Sequence, residues 1–408
     1  MRISTKTLFE TATTQIGTLQ SQLSRTQMQL SAQRRLLTAA DDPIASARAL
    51  EVTQSQSMNT QFGTNRQNAR ASLSLVDQTL MGVVGLIQDV QSLVVDAGNG
   101  TYTPTDRAAK ATELEGRLTD LLGLANTADG IGGYLFSGYM TTTQPFSQTP
   151  TGAQYQGDQG NRSMQVGSAR KMGVSENGSA IFEANLTGNG DFQTLAAAAN
   201  TGSGIISPGA VTDRSKLTGH DYAISFAVTG SPPVTTYDVV DNSATPPSTV
   251  VTGAPYQAGA SITFDGMSFD IKGDPADGDT FTVQPSQKQS IFETITNLIA
   301  TLRAPAEGSS GKAALANGLN TASLNLKNSL DNVLTVEASV GARLKELDYL
   351  DSSGDDLDIQ YTATLGTLQD LDYTKAISLF LQQQMTLQAA QQSFKSVSGL
   401  SLFNYLNF

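Results

Sequence analysis

The chain has 408 residues, enough for two or three domains at roughly 150 residues each. Apolar residues make up 39% and charged residues only 15%, against a globular average near ~25% charge. There is no cysteine, a single histidine (His220) and a formal net charge of −12. Disulfides, zinc–thiolate and iron–sulfur sites, a cysteine nucleophile and a two-histidine metal site are therefore excluded, and an acidic chain is a poor match for nucleic acid or an anionic membrane.

The N-terminal segment has two early basic residues but neither an apolar core nor a small-residue cleavage site. A cleaved secretory signal is not expected, and export by a route that reads an uncleaved terminus stays open. No uninterrupted apolar run approaches the ~18 residues of a membrane span, so no membrane insertion is expected.

Phe9, Ile16, Leu23, Leu30 and Leu37 recur every seven residues, with Ala12 and Leu19 between the first of them. Such 3–4 spacing predicts a helix burying one narrow seam against another helix. Asp41-Asp42-Pro43 breaks the pattern, with Asp42 placed to cap a second helix whose first residue is Pro43. That helix is predicted to run to about Ala97, on the rows Leu73, Leu80, Ile87, Val94 and Val76, Val83, Val90, Ala97. A shorter helix is expected after Asp106, carrying Ala111, Leu114, Leu118, Leu121 and Ala125 and ended by Gly130, Gly132 and Gly133.

From Tyr134 to Pro285 the texture changes to alternating apolar residues among Gly, Pro, Thr and Asn. Strands are predicted at Tyr222–Val228, Ser261–Phe264, Met267–Ile271 and Thr280–Val283, with Asp265-Gly266 as a hairpin turn. Pro232-Pro233 and Pro246-Pro247 demote their surroundings to loops or edges. Helical spacing returns near Ser290, which with Glu293 has the spacing of a capping box. After a loop from Ala304 to Gly311, a long helix carries Leu319, Leu326, Val333, Val340 and Leu347, and the acidic run Asp351–Asp358 is expected to interrupt it. The last helix carries Tyr373, Phe380, Leu387 and Phe394 at sevens, with Ile377, Gln384 and Gln391 between.

The chemical inventory is thin. Gly308-Ser-Ser-Gly311-Lys312 lacks both the spacing and the Ser/Thr of a phosphate loop, so a helix–helix loop is the better reading. Asp351, Asp355, Asp356 and Asp358, like Asp274, Asp277 and Asp279, lack calcium-loop spacing and read as solvated turns. His220 reads as a turn residue. No catalytic residue, metal ligand or cofactor is assigned, and no enzyme activity is expected. After Asp372 only Lys375 and Lys395 are charged, whereas a solvated helix normally charges its outer face. The terminal arms thus read as self-association surfaces, with Phe9, Ile16, Leu19, Leu23, Leu30, Leu37, Tyr373, Ile377, Phe380, Leu387 and Phe394 as candidate interface residues.

The start Met1-Arg2-Ile3-Ser4-Thr5, the run Leu30 to Pro43 with Arg34, Arg35, Asp41, Asp42 and Pro43, the stretches Ala45–Leu50 and Gly133–Gly138, and the run Gln388–Leu406 together carry a resemblance. They resemble the flagellar hook-associated protein 3 (FlgL) family of the hook–filament junction, relatives of flagellin. The likeness is strong over roughly the first 140 and last 120 residues and weak across the insert. Ala32-Gln33 stands where that family usually has Thr-Gly, so a local kink supplied by glycine is expected to be lost.

The resemblance implies a mainly α, flagellin-like fold with a β-rich insert. A terminal coiled-coil assembly domain (1–41 and 356–408) and a helical bundle domain (42–133 and 286–355) are expected, with a β-rich region (134–285) whose insert projects outward. It implies a structural adaptor, exported unfolded by the flagellar type III apparatus with an export chaperone. The adaptor is expected to form a homo-oligomeric ring between hook-associated protein 1 and flagellin, outside the cell. A flagellin-type filament subunit, or a β insert that binds glycans or acts as an enzyme, are the alternatives.

Overall fold

The computed structural model describes residues 5–399. Met1 to Ser4, and the part of the C-terminal run from 400 onward, lie outside the described residues. Among the described residues there are six α-helices: α1 (Thr5–Ala32), α2 (Pro43–Ala97), α3 (Pro104–Ala125), α4 (Ile291–Arg303), α5 (Gly308–Gln369) and α6 (Tyr373–Gly399). Between α3 and α4 lie short strands β1 (Phe146–Thr149), β2 (Gly152–Tyr155), β3 (Ser163–Gly167), β4 (Arg170–Gly173), β5 (Asn185–Leu186), β6 (Phe192–Ala196), β7 (Ile205–Ile206) and β8 (Ala210–Val211). They are followed by β9 (Tyr222–Thr229), β10 (Val234–Asp241), β11 (Ser248–Pro255), β12 (Ser261–Phe264), β13 (Met267–Lys272), β14 (Thr280–Pro285) and β15 (Lys288–Gln289). Two compact units are formed, Met1–Thr64 with Tyr349–Phe408, and Asn65–Asp348.

In the first unit α1 ends at Ala32, so Leu37 is not part of the helical seam. Gln33 adopts a φ of 56°, the left-handed region where a Cβ is costly and glycine is the usual occupant. The Arg34 N–H turns back to the Gln29 carbonyl at 3.2 Å, and the Arg35 N–H reaches the Gln369 carbonyl at 2.7 Å. These bonds satisfy backbone groups that the break would otherwise leave bare. The expected loss of the kink is thus corrected: the kink is present, with glutamine holding it. The anticipated interruption at Asp351–Asp358 is also absent, because α5 runs through it. Gln56 of α2 donates to the Asp358 carboxylate at 2.9 Å and Asn59 to the Gly354 carbonyl at 2.7 Å. These carboxylates therefore sit on a helix, not in turns.

The second unit has a helical core and a sheet core. Leu73, Val76, Leu80, Val83, Ile87, Val90, Val94 and Ala97 of α2 are all buried, as are Leu319, Leu326, Val333, Val340 and Leu347 of α5. By length and composition alone α2 could cross a membrane, but these two rows are buried in the folded chain. α3 starts earlier than expected, because Thr103 and Asp106 form a reciprocal capping box around Pro104. It also ends earlier, at Asn126, whose side chain exchanges hydrogen bonds with the Phe146 backbone at 2.8 and 3.0 Å. Ser290 caps α4 through the Phe292 N–H alone, so the box predicted with Glu293 does not close. Gly308 to Lys312 forms the first turn of α5, not a loop.

In the sheet region the order is β11-β10-β9-β14-β6, all antiparallel, beside β12-β13-β7 with β8 also paired to β13. Tyr222, Ile224, Phe226, Phe281 and Val283 of the first sheet share one core with Ile262, Phe264, Met267, Phe269 and Ile271 of the second. The four predicted strands are present, and Asp265-Gly266, both with positive φ, turns β12 into β13. Pro232-Pro233 and Pro246-Pro247 lie in the connections that flank β10, and both β10 and β11 escaped the sequence reading.

Candidate assembly surfaces

In the first unit α1 and α6 lie side by side in opposite directions. The Phe9 and Phe394 rings are 5.0 Å apart, and Thr26 faces Gln383. On α1 the inward row is Ala12, Ile16, Leu19, Leu23, Thr26 and Leu30, close to the predicted seam; Thr26 is buried and its apolar neighbours are half-buried. On α6 the row is Ala376, Phe380, Gln383, Leu387, Ala390 and Phe394. Ile377, Gln384 and Gln391 are exposed. The second row lies three residues after each seam residue, not four, so Ile377 stands outside the α1–α6 seam. Tyr373 and Ile377 both face solvent.

Thr26 is 4% exposed. Its hydroxyl donates to Gln383 Oε1 at 2.8 Å and also lies 3.1 Å from the Gln22 carbonyl. A polar pair inside an apolar seam sets its register at some cost in stability. Its signal in the sequence is a threonine standing seven residues after Leu19, where the second row of the seam would continue.

The motif after α1 is a hydrogen-bonded clasp. Asp41 accepts from the Thr38 and Leu37 N–H groups at 2.9 and 2.8 Å, and Arg25 pairs with it at 2.6 Å. The Thr38 and then the Leu37 backbone N–H hold the Asp41 carboxyl below its ordinary value, helped by Arg25. Leu37 thus serves the clasp. Asp42 accepts from the Ala45 N–H at 3.0 Å, capping α2 ahead of Pro43. The backbones of Arg34 and Asp370 pair as an isolated antiparallel β-bridge, while Arg35 donates to the Leu368 carbonyl at 2.7 Å and lies 3.5 Å from Asp42. The motif joins α1 to the start of α2 and to the α5–α6 turn.

Catalytic geometry does not assemble around the remaining candidates. His220 Nδ1 meets Asp241 at 2.7 Å, and its other ring nitrogen meets no side chain among the described residues. Burial works to raise the Asp241 carboxyl, but bonds from His220, Ser243 and Ala244 hold it below its ordinary value. Burial pushes the neighbouring Tyr222 hydroxyl up to about 12. No group of three or more metal-ligating side chains occurs among the described residues. Asp279 instead ties the backbone N–H groups of Thr201, Gly202 and Ala276 together.

Residues 3–141 match the bacterial flagellin N-terminal helical region, and residues 195–285 match the D2-like domain of flagellar hook-associated protein 1. Flagellar hook-associated protein 3 of Salmonella typhimurium is 30% identical over 404 residues, 99% of each chain. The chain belongs to the flagellar hook-associated protein 3 family. Two solved structures from Legionella pneumophila, a flagellar hook associated protein-3 and the flagellar junction protein FlgL, are each 30% identical. They superpose with TM-scores of 0.74 and 0.72, covering 78% and 79% of this chain and 98% and 100% of their own. As a member of the hook-associated protein 3 family the chain has a structural role in the flagellum, and its named relatives are flagellar structural proteins, not known enzymes.

Proposed function

We propose that this chain is the adaptor subunit of the hook–filament junction, assembled through α1 and α6 into a homo-oligomeric ring on which flagellin polymerises. One observation carries the reading: the α1–α6 pair leaves most of its apolar seam only half-buried, and α6 turns the uncharged Tyr373, Ile377, Leu381 and Met385 to solvent. An isolated pair of helices with that surface gains from further burial against neighbouring subunits. Hook-associated protein 1 on one side and flagellin on the other are the proposed neighbours. Passage through the export apparatus in an unfolded state, with a chaperone, suits a chain without disulfides that must order its arms at the destination.

Deleting the gene tests this against the filament-subunit alternative. The adaptor reading expects flagellin to leave the cell as unpolymerised monomer. Loss of the secreted monomer pool itself would show the chain to be the filament subunit.

A further inference from the structure

In the second unit, a cleft between the end of α2 and the first turns of α3 and α5 holds a buried cation that no carboxylate neutralises. Arg107 stands on the inward row of α3, one turn before Ala111, and is 7% exposed. Its Nη1 donates to the Tyr102 carbonyl at 3.3 Å. Its buried Nε has no hydrogen-bond partner, and the guanidinium has no carboxylate partner among the described residues. The carboxylates nearby are committed elsewhere. Asp106 closes the capping box on Thr103, and Asp96 accepts from the Tyr102 hydroxyl at 2.7 Å and pairs with Lys110 at 2.8 Å. The position does not favour the helix either, because the first turn of α3 is the positive end of its dipole. A buried charge without a partner is costly. Arg107 lacks an anion.

The cleft that Arg107 lines has a volume of about 680 Å³, the size of a small-molecule site. Val94, Leu315 and Leu319 give it an apolar wall. Lys312 stands in the same lining, exposed and without an ion-pair partner among the described residues. Gly308, the first residue of α5, is also in the lining, and the uncapped N–H groups at that end add positive potential. This rim is fixed in place. A Cβ at Gly311 would come within 2.7 Å of the Ala306 carbonyl carbon, so glycine lets the loop before α5 close onto its first turn. Glu307 is the one acid in the lining, and it pairs with neither cation. Arg107 and Lys312 set against Glu307 leave one positive charge.

We propose that this cleft binds a small organic monocarboxylate, its carboxylate held by Arg107 and Lys312 and its apolar body against Val94, Leu315 and Leu319. The charge of the lining matches one negative charge better than the two of a phosphate, and a guanidinium fork suits a pair of carboxylate oxygens. The site uses no residue of α1 or α6, so it stands independently of the assembly reading.

Octanoate is the probe, titrated calorimetrically into the full chain at neutral pH, with 1-octanol, acetate and inorganic phosphate in parallel. Octanoate should bind one to one, and the other three roughly tenfold more weakly or worse, because charge-assisted hydrogen bonds and the apolar chain each contribute at least that factor. Lys312→Gln, at an exposed position, should leave folding intact and weaken octanoate about tenfold without changing 1-octanol. Arg107→Met should weaken octanoate at least as much, and its ligand-free unfolding midpoint separates loss of the site from loss of the fold. If that variant is unfolded, Lys312→Gln decides alone. Octanoate binding no tighter than 1-octanol, or octanoate binding that Lys312→Gln leaves unchanged, would overturn the proposal. Phosphate binding as tightly as octanoate would overturn it too, by showing a site for any anion.

Discussion

Gln33 shows most directly how one residue and its backbone can disagree. Its φ of 56° is a conformation that costs an L-residue about 1–2 kcal/mol, part of which glycine would return as unfolded-state entropy. Gln33→Gly should therefore stabilise the α1–α2 connection by roughly 0.5–1 kcal/mol, read as slower amide exchange at Arg34 and Arg35. Unchanged or faster exchange would show that the glutamine side chain contributes more than its strain. Asp158 makes a second prediction at this scale. The Tyr139 N–H, then the Gly160 N–H, hold its carboxyl below the ordinary value of 3.8. A depressed carboxyl stabilises the folded loop above its unfolded pKa, and that contribution is lost as pH falls through the lower folded value. Amide exchange at Tyr139 and Gly160 should accelerate relative to the helical core on acidification below about pH 4. The Asp158→Asn variant should lose that dependence.

Among the elements, the seam between α1 and α6 is where one polar pair decides register. Replacing both partners, Thr26→Val with Gln383→Leu, exchanges a buried hydrogen bond for apolar contact, which is near neutral or stabilising. The doubly substituted chain should keep its helix content but lose its single register. Paramagnetic labels placed at positions 15 and 391 should then report more than one distance. A single unchanged distance would show that the apolar rows fix the register alone. How far the elements could be read from sequence follows the same physics. The long helices were legible wherever a buried row repeats at seven, as along Leu73 to Val94 and Leu319 to Leu347. Asp351–Asp358 misled because polar composition says nothing about partners, here Gln56 and Asn59 on α2. β10 and β11 were missed because β10 buries little besides Val239 and Asp241, and β11 is an edge strand with no buried position. On α6 the small residues Ala376 and Ala390, not the larger Ile377, face the partner helix. Close approach of two helices selects for size more than for hydrophobicity.

At the scale of the whole molecule, the two units differ in how much of their apolar surface is already covered. The second unit buries its rows completely: Val83 is among residues with no exposed surface. The first leaves Leu387 half-buried in a two-helix seam, and ordering such a seam costs conformational entropy that a thin interface offsets poorly. If assembly supplies the missing cover, truncating the two residues should have opposite consequences. Val83→Ala should cost the isolated chain about 2 kcal/mol from lost transfer energy and a residual cavity, lowering the denaturant midpoint of its main unfolding transition. Leu387→Ala should leave that midpoint unchanged, while motility falls and more flagellin is lost to the medium, because every subunit of the junction repeats the same defect. Equal destabilisation of the two isolated chains would mean that the arm is already packed as firmly as the bundle. The half-buried seam would then be a finished helical hairpin, and the source of assembly energy would have to be sought in the second unit.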